Sequence, residues 1–347
     1  METKVWDLRP YRDDLTRYPD LSEIQQIYRQ GGLIALPTET VYGLGANALD
    51  ESAVRHVYEA KGRPSDNPLI IHVHSEDQLN DFVSHIPADT QTLMDAFWPG
   101  PISFILPLKK GYLCDRVTGG LDSIAVRMPS HPIGRQVLQL VDLPIAAPSA
   151  NLSGKPSPTT FDHVYHDLNG RIDGIIQGDQ SEEGLESTVL DCTQVPFRIA
   201  RPGAITAEMI ESVIDQQVER MGLVDQDRPI APGMKYRHYA PETPVTIVST
   251  LEEAQALQGD KDWSQTALIF PDNYQNDIPD QASFISLCQN EQDIKGANHN
   301  LYHVLHQLDA RSNINQAYIF GFKPSDETAA IMNRMEKAAT PSVAKGE

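Results

Sequence analysis

Short apolar runs bounded by Pro, Gly or charge alternate with amphipathic stretches through roughly the first 220 residues, where apolar positions recur every three or four residues. The runs at 33–36, 69–73, 102–106, 124–126, 144–147, 172–176, 187–190 and 197–200 predict strands. The amphipathic stretches predict helices near 21–30, 51–60, 76–84, 88–97, 131–141, 160–168 and 206–220. The first of these offers Ser22 as an N-cap and stops at Gly31-Gly32. Strands come both singly between helices and in consecutive groups. This predicts an α/β domain over 1–222 with a mixed sheet packed by helices, rather than a pure βαβ array.

The pattern lapses over 223–243, where Pro and Gly recur and Met234, Lys235, Tyr236, Arg237, His238 and Tyr239 crowd together. Such residues make contacts, so the segment reads as an extended connector that touches something specific, or else as a stiff linker lying on its own surface. Beyond it, over 244–347, apolar runs at 245–248, 266–270, 284–287 and 317–320 alternate with helical patterns near 251–258, 295–310 and 325–338. Strands separated by helices predict a smaller, Rossmann-like parallel α/β domain.

Charge narrows the choice of ligand. The chain of 347 residues carries 28 Lys+Arg against 48 Asp+Glu, a formal charge of -20, and the deficit is -14 over 1–230 and -6 over 231–347. Neither part attracts nucleic acid at long range, so any anion bound should be small and gripped by a few placed groups. There is no apolar run of about 18 residues and no apolar leader at the start, which predicts a protein of the cytoplasm with no membrane association. Cys114, Cys192 and Cys288 are far apart, without a CxxC pair, and fit a reducing compartment.

Three polar clusters stand at predicted strand and helix ends. In Pro37-Thr-Glu-Thr-Val-Tyr-Gly-Leu-Gly45 the tail formally matches G-x-G-x-x-A, but Pro37 and the hydroxyls argue for a backbone loop exposing Thr38, Glu39, Thr40 and Tyr42 to a small polar ligand. Lys61-Gly-Arg-Pro-Ser-Asp-Asn-Pro68 sets two cations beside Ser65 and Asn67, stiffened by prolines; it reads as a phosphate or carboxylate clamp or as a solvated helix end. In Ala147-Pro-Ser-Ala-Asn-Leu-Ser-Gly-Lys-Pro-Ser-Pro158, Ser149 and Asn151 follow a strand's C-terminal end. Arg127 and Arg201 end strands and Ser187 opens one, which together suggests one polar, anion-binding cleft. His72 and His74 alternate on one strand and would face one side, yet no third ligand accompanies them, so a hydrogen-bonding histidine is the better reading and no metal site is assigned. With no P-loop and no nucleophile elbow, the chemistry on offer is positioning plus cations, as nucleotidyl transfer requires.

Taken together, PTETVYGLG (37–45), KGRPSDNPLIIHV (61–73), WPGPISFIL (98–106), SIAVRMPSHP (123–132), APSANLSGKPSPT (147–159), STVLD (187–191), RPGAIT (201–206) and APGMKYRHYAP (231–241) resemble the threonylcarbamoyl-AMP synthase family in its long, two-domain form. The C-terminal part carries no comparable motif.

The resemblance implies a YrdC-like mixed twisted sheet with helices and an open cleft, a connector at 223–243 acting as a lid, and a smaller Rossmann-like α/β domain after it. It implies an enzyme that joins L-threonine, bicarbonate and ATP, as its Mg2+ complex, into threonylcarbamoyl-adenylate with release of pyrophosphate. No organic cofactor is expected. A separate transferase complex would then modify tRNA, direct tRNA binding by this chain being weak or absent. By the same analogy Thr40, His72, Arg127 and Ser187 line the threonine pocket, with Ala147 lending backbone. Lys61, Arg63, Asn67, Ser123, Ser149, Asn151, Ser157, Arg201 and the lid residue Tyr236 hold ATP, with Lys61 and Arg63 as the catalytic cations. Two rivals stand beside this reading: an RNA-binding module, and another carbamoyl-adenylating enzyme.

Overall fold

In the computed structural model, residues 1–65, 67–220, 230 and 238–340 are described. They fall into two compact units, one formed by Met1–Ser153 and the described part of Ser157–Tyr236, the other by Gly154–Pro156 and the described part of Arg237–Glu347.

The first unit is built on β1 (Lys4–Asp7), β2 (Ile34–Leu36), β3 (Gly43–Asn47), β4 (Ile71–His72), β5 (Ile102–Pro107), β6 (Ser123–Arg127), β7 (Ile145–Ala146), β8 (Gly174–Gln177), β9 (Thr188–Asp191) and β10 (Arg198–Arg201). These form one mixed sheet in the order β1-β8-β2-β3-β7-β4-β6-β5-β9-β10. β4 runs parallel to β6 and β5 to β9, whereas β5 is antiparallel to β6 and β10 to β9.

Side chains alternate between the faces with period two, and this decides where a site can form. On one face Ala35, Ile71, Phe104, Val126 and Leu190 join a large core with α2 (Glu51–Lys61), α3 (Ala88–Phe97), α5 (Phe161–Leu168) and α6 (Ala207–Ile214). On the other face α1 (Leu21–Arg29) and α4 (Pro132–Val141) pack in one cluster with Trp6, Ile34, Leu36, Ile145, Ala147 and Ile176. The rest of that second face holds a small cluster of Ile70, Ile105, Ala125, Val189 and Ala200, to which, among the described residues, no helix contributes. The connector residue Ile230 packs on it.

The second unit has a parallel sheet in the order β11-β14-β12-β13, where β11 is Val245–Val248, β12 Thr266–Phe270, β13 Ser283–Ser286 and β14 Gln316–Phe320. Its helices are α7 (Leu251–Gln258), α8 (Ile294–Asp309) and α9 (Ala329–Ala338). The mixed α/β sheet and the small parallel sheet are those expected from the sequence.

Several local expectations need correction. The loop read over 37–45 ends in β3, whose Gly43 and Gly45 permit close packing: a Cβ on Gly45 would lie 2.7 Å from the Tyr28 hydroxyl and 3.0 Å from Ile145. Thr38, Glu39, Thr40 and Tyr42 are buried rather than exposed. The stretch 76–84 forms a 3-10 helix over Glu76–Asp81, and α6 stops at Ile214 because Asp215 turns left-handed with φ 51°. Ser22 sits inside the first turn of α1, with Asp20 at the cap position.

Candidate functional site

The helix-free part of the second face carries the polar residues. His72 lies two residues after Ile70, Arg127 two after Ala125, Ser103 two before Ile105 and Ser187 two before Val189, so all four share the face of that cluster. Register aligns them across the sheet: His72 pairs with Arg127, and Ser103 with Val189, which pairs with Arg201. All are buried.

Arg127 is the hub of this row. Its Nη1 donates to Thr40 Oγ1 at 2.8 Å and its Nε to the Gly100 carbonyl at 3.4 Å. Its Nη2 lies 2.7 Å from Glu39 Oε1. That pair is in contact by distance, but the N–H bonds of Nη2 are not aimed at the carboxylate, and neither atom makes a hydrogen bond. The other oxygen, Glu39 Oε2, accepts from the Ser130 amide at 3.1 Å. Thr40 is held by its neighbour, since Thr38 Oγ1 lies 3.0 Å from Thr40 Oγ1.

His72 places Nδ1 3.2 Å from the Ile70 carbonyl. A carbonyl only accepts, so Nδ1 carries the proton and Nε2 a lone pair. Burial, and then the Arg127 charge, push its pKa down to about 3, which keeps the ring neutral. At the far end of the row Arg201 Nε donates to the Ser187 carbonyl at 3.0 Å and Nη2 to Ser187 Oγ at 3.1 Å. Ser103 Oγ lies 2.8 Å from Ser187 Oγ. Ala147, also buried, donates its amide to the Ile70 carbonyl at 3.1 Å.

A second group gathers where α2 ends. Asp50 caps the start of α2 through the Ser52 and Ala53 amides, and Gly62 ends it in the left-handed region at φ 63°. Lys61, in the last turn, is buried, so the reading of a solvated helix end is set aside. Its Nζ donates to the carbonyls of Ser149 at 2.5 Å and Asn151 at 2.7 Å, which ties the second motif to the third. Burial pulls its pKa well below the ordinary lysine value, with the Arg63 charge adding to the effect. Half-buried Arg63 lines a cavity of about 540 Å³ with Arg55, Tyr58 and Arg116. Asn67 is buried with neither its Nδ2 nor its Oδ1 hydrogen-bonded, an arrangement that costs free energy unless something else pairs with it. Ser157 Oγ donates to Glu186 Oε1 at 2.5 Å.

Thus Thr40, His72, Arg127, Ser187 and Arg201 lie in one row, and Lys61, Ser149 and Asn151 in one knot. Ser123 shares the face of Arg127 but starts β6 where Arg127 ends it, roughly 13 Å away at about 3.3 Å per residue. Tyr236 lies outside the described residues. His74 does not join His72: it bonds Asp142 Oδ1 at 2.7 Å. Sequence reasoning missed Ser103, a lone hydroxyl in an apolar strand, and the pairing of Glu39 with Arg127.

A family model described as Telomere recombination matches residues 26–203, and one described as Threonylcarbamoyl-AMP synthase, C-terminal domain matches 205–340. The chain is 42% identical over 342 residues to a threonylcarbamoyl-AMP synthase of Bacillus subtilis, covering 98% of each. It is 42% identical to that of Pyrococcus abyssi, covering 90% of this chain and 91% of the relative. Among solved structures, P. abyssi Sua5 complexed with L-threonine superposes with a TM-score of 0.84 at 36% identity, covering 97% of each chain. Matched in both halves and along nearly its whole length, the chain belongs to the threonylcarbamoyl-AMP synthase family in its two-domain form.

Proposed function

We propose that this chain condenses L-threonine, bicarbonate and ATP into threonylcarbamoyl-adenylate, releasing pyrophosphate, for threonylcarbamoyladenosine modification of tRNA. The observation that carries the reading is the row of buried, polar, cationic groups on the part of the second sheet face that no described helix covers, adjoined by the Lys61 knot. The relatives' name supports the reaction, and the P. abyssi structure complexed with L-threonine supports the amino acid.

On this reading the threonine carboxylate approaches the Arg127 guanidinium. The His72 Nε2 lone pair accepts from the substrate's hydroxyl or amine, and Thr40, Ser187 and the Ala147 backbone complete the pocket. The deprotonated amine condenses with bicarbonate, losing water, to give a carbamate whose oxygen attacks the α-phosphorus of ATP, and the bond to the bridging oxygen of pyrophosphate breaks. An ammonium has three donors; two of those on Lys61 are engaged by carbonyls, leaving the third for a phosphate oxygen. Arg63 and Arg201 add charge where pyrophosphate leaves, and Asn67, Ser149, Asn151 and Ser157 orient the nucleotide. A ligand running along β6 from Arg127 would reach Ser123. Tyr236 is proposed to close over it.

Mg2+ enters with ATP as part of the substrate, held by the phosphates. No cluster of three or more His, Cys, Asp or Glu suited to a metal occurs among the described residues, so the protein is not proposed to cage it. No described helix is long and apolar enough to cross a membrane. A cytoplasmic location and delivery of the adenylate to a separate transferase complex complete the proposal. The test is pyrophosphate release with ATP and Mg2+, threonine and bicarbonate each present or withheld. Release that needs both, and that fails with carbamoyl phosphate, is the expected result; release under no combination would sink the reading.

A further inference from the structure

Glu39 has no role in the proposed function, yet among the described residues it is the one carboxylate paired with the Arg127 hub. Its side chain is 5% exposed, as is that of Arg127. A buried ion pair is stable only when its remaining donors and acceptors are satisfied. Here they are not: Glu39 Oε1 and Arg127 Nη2 sit 2.7 Å apart, each without a hydrogen bond. The rest of both side chains is fixed, Glu39 Oε2 by the Ser130 amide and Arg127 by Thr40 and Gly100. What remains is one anionic acceptor beside one cationic donor, side by side and desolvated.

That is the complement of a zwitterion. In an α-amino acid the ammonium and the carboxylate are borne on the same carbon, so a single ligand can offer a donor to Glu39 and an acceptor to Arg127 together. The pair is also neutral in sum, as is the ligand, so neither is asked to bury net charge. We propose that Glu39 receives the α-ammonium of the amino-acid substrate through Oε1, while Arg127 Nη2 takes its carboxylate. The ammonium gives up a proton to solvent, and the freed amine condenses with bicarbonate with loss of water; the carbamate nitrogen keeps one N–H, which can stay on Glu39 while the new carboxylate swings toward the nucleotide. This deepens the functional reading above and rests on it.

The alternative is that Glu39 merely braces Arg127. The two are separated by comparing L-threonine with 3-hydroxybutanoate, which keeps the carboxylate and hydroxyl but lacks the amine. Calorimetric titration of the full chain should show wild type preferring L-threonine. Glu39→Gln should lose roughly 100-fold for L-threonine, in line with truncation of a buried charge pair, while 3-hydroxybutanoate binds as before or better. Glu39→Asp, which keeps the charge but withdraws it, should fall between. It is also the variant to measure should Glu39→Gln be too unstable, and retained ATP affinity reports that the fold survives. Equal losses for both ligands, or unchanged preference for L-threonine, would overturn the Glu39 assignment while leaving the enzyme reading intact. Failure of wild type to bind L-threonine at all would overturn both.

Discussion

Lys61 joins two opposed demands in one side chain, because burial disfavours its charge while a phosphate partner needs it. Phosphate oxygens bind only the ammonium, so ATP affinity should fall as pH rises through the depressed pKa. Titrating wild type with a non-hydrolysable ATP analogue across the pH range below the ordinary lysine value should show that loss. Lys61→Arg, charged throughout, should bind more weakly at neutral pH but without the slope. Arg63→Ala should lower turnover by about 10²-fold or more with little change in melting temperature. Lys61→Ala should do the same to turnover and also lose some stability, since it strands the Ser149 and Asn151 carbonyls. Near-normal pyrophosphate release in both variants would remove these residues from the reaction.

His72 gives a stability signature of the opposite kind. Its pKa falls from 6.5 in the unfolded chain to about 3 in the fold, so below 6.5 the unfolded state binds more protons and stability drops as pH falls toward 3. The term is on the order of a few kcal/mol when complete. Thermal melts of His72→Gln should therefore show a shallower acid slope than wild type, and identical slopes would mean that the ring is not buried neutral.

At the scale of elements, β3 is the test of why two glycines stand in a sheet. Gly45→Ala would press a methyl into Tyr28, Ile145 and Leu36, and should cost about 1–3 kcal/mol by denaturant titration. That same feature hid the strand from sequence reading, because Gly-Leu-Gly-Ala-Asn has neither alternation nor branched side chains. β1 escaped for another reason: it pairs only with β8, at the sheet's edge, and just Trp6 of its four residues is buried. Strands such as β5, apolar but for Ser103 and buried on both faces, and helices such as α4, with Ile133, Val137, Leu138 and Val141 in step, were legible because burial and sequence coincide there. The Lys61 knot was legible as two motifs. Its closure, a lysine on a helix end reaching carbonyls beyond β7, was not, and neither was the meeting of Glu39 with Arg127, because tertiary pairing leaves no local mark.

At the scale of the molecule, the connector residue Ile230 rests on the same face as the site. Deleting 223–347 removes it together with the second unit. We expect that variant to release ATP faster and to turn over poorly; unchanged ATP affinity and turnover would leave everything beyond 222 an accessory.

The partition of the chain has one further bearing. Gly154–Pro156 belongs to the second unit, where Ala240 donates its amide to the Gly154 carbonyl and Lys155 pairs with Glu242. The third motif is thus interrupted between Asn151 and Ser157 by three residues that belong to the second unit. Scissors applied at the connector would therefore leave a frayed hem inside the third motif, where Gly154 and Lys155 would lose Ala240 and Glu242. Anyone grafting the first half elsewhere would have to re-tailor that hem as well as trim the thread.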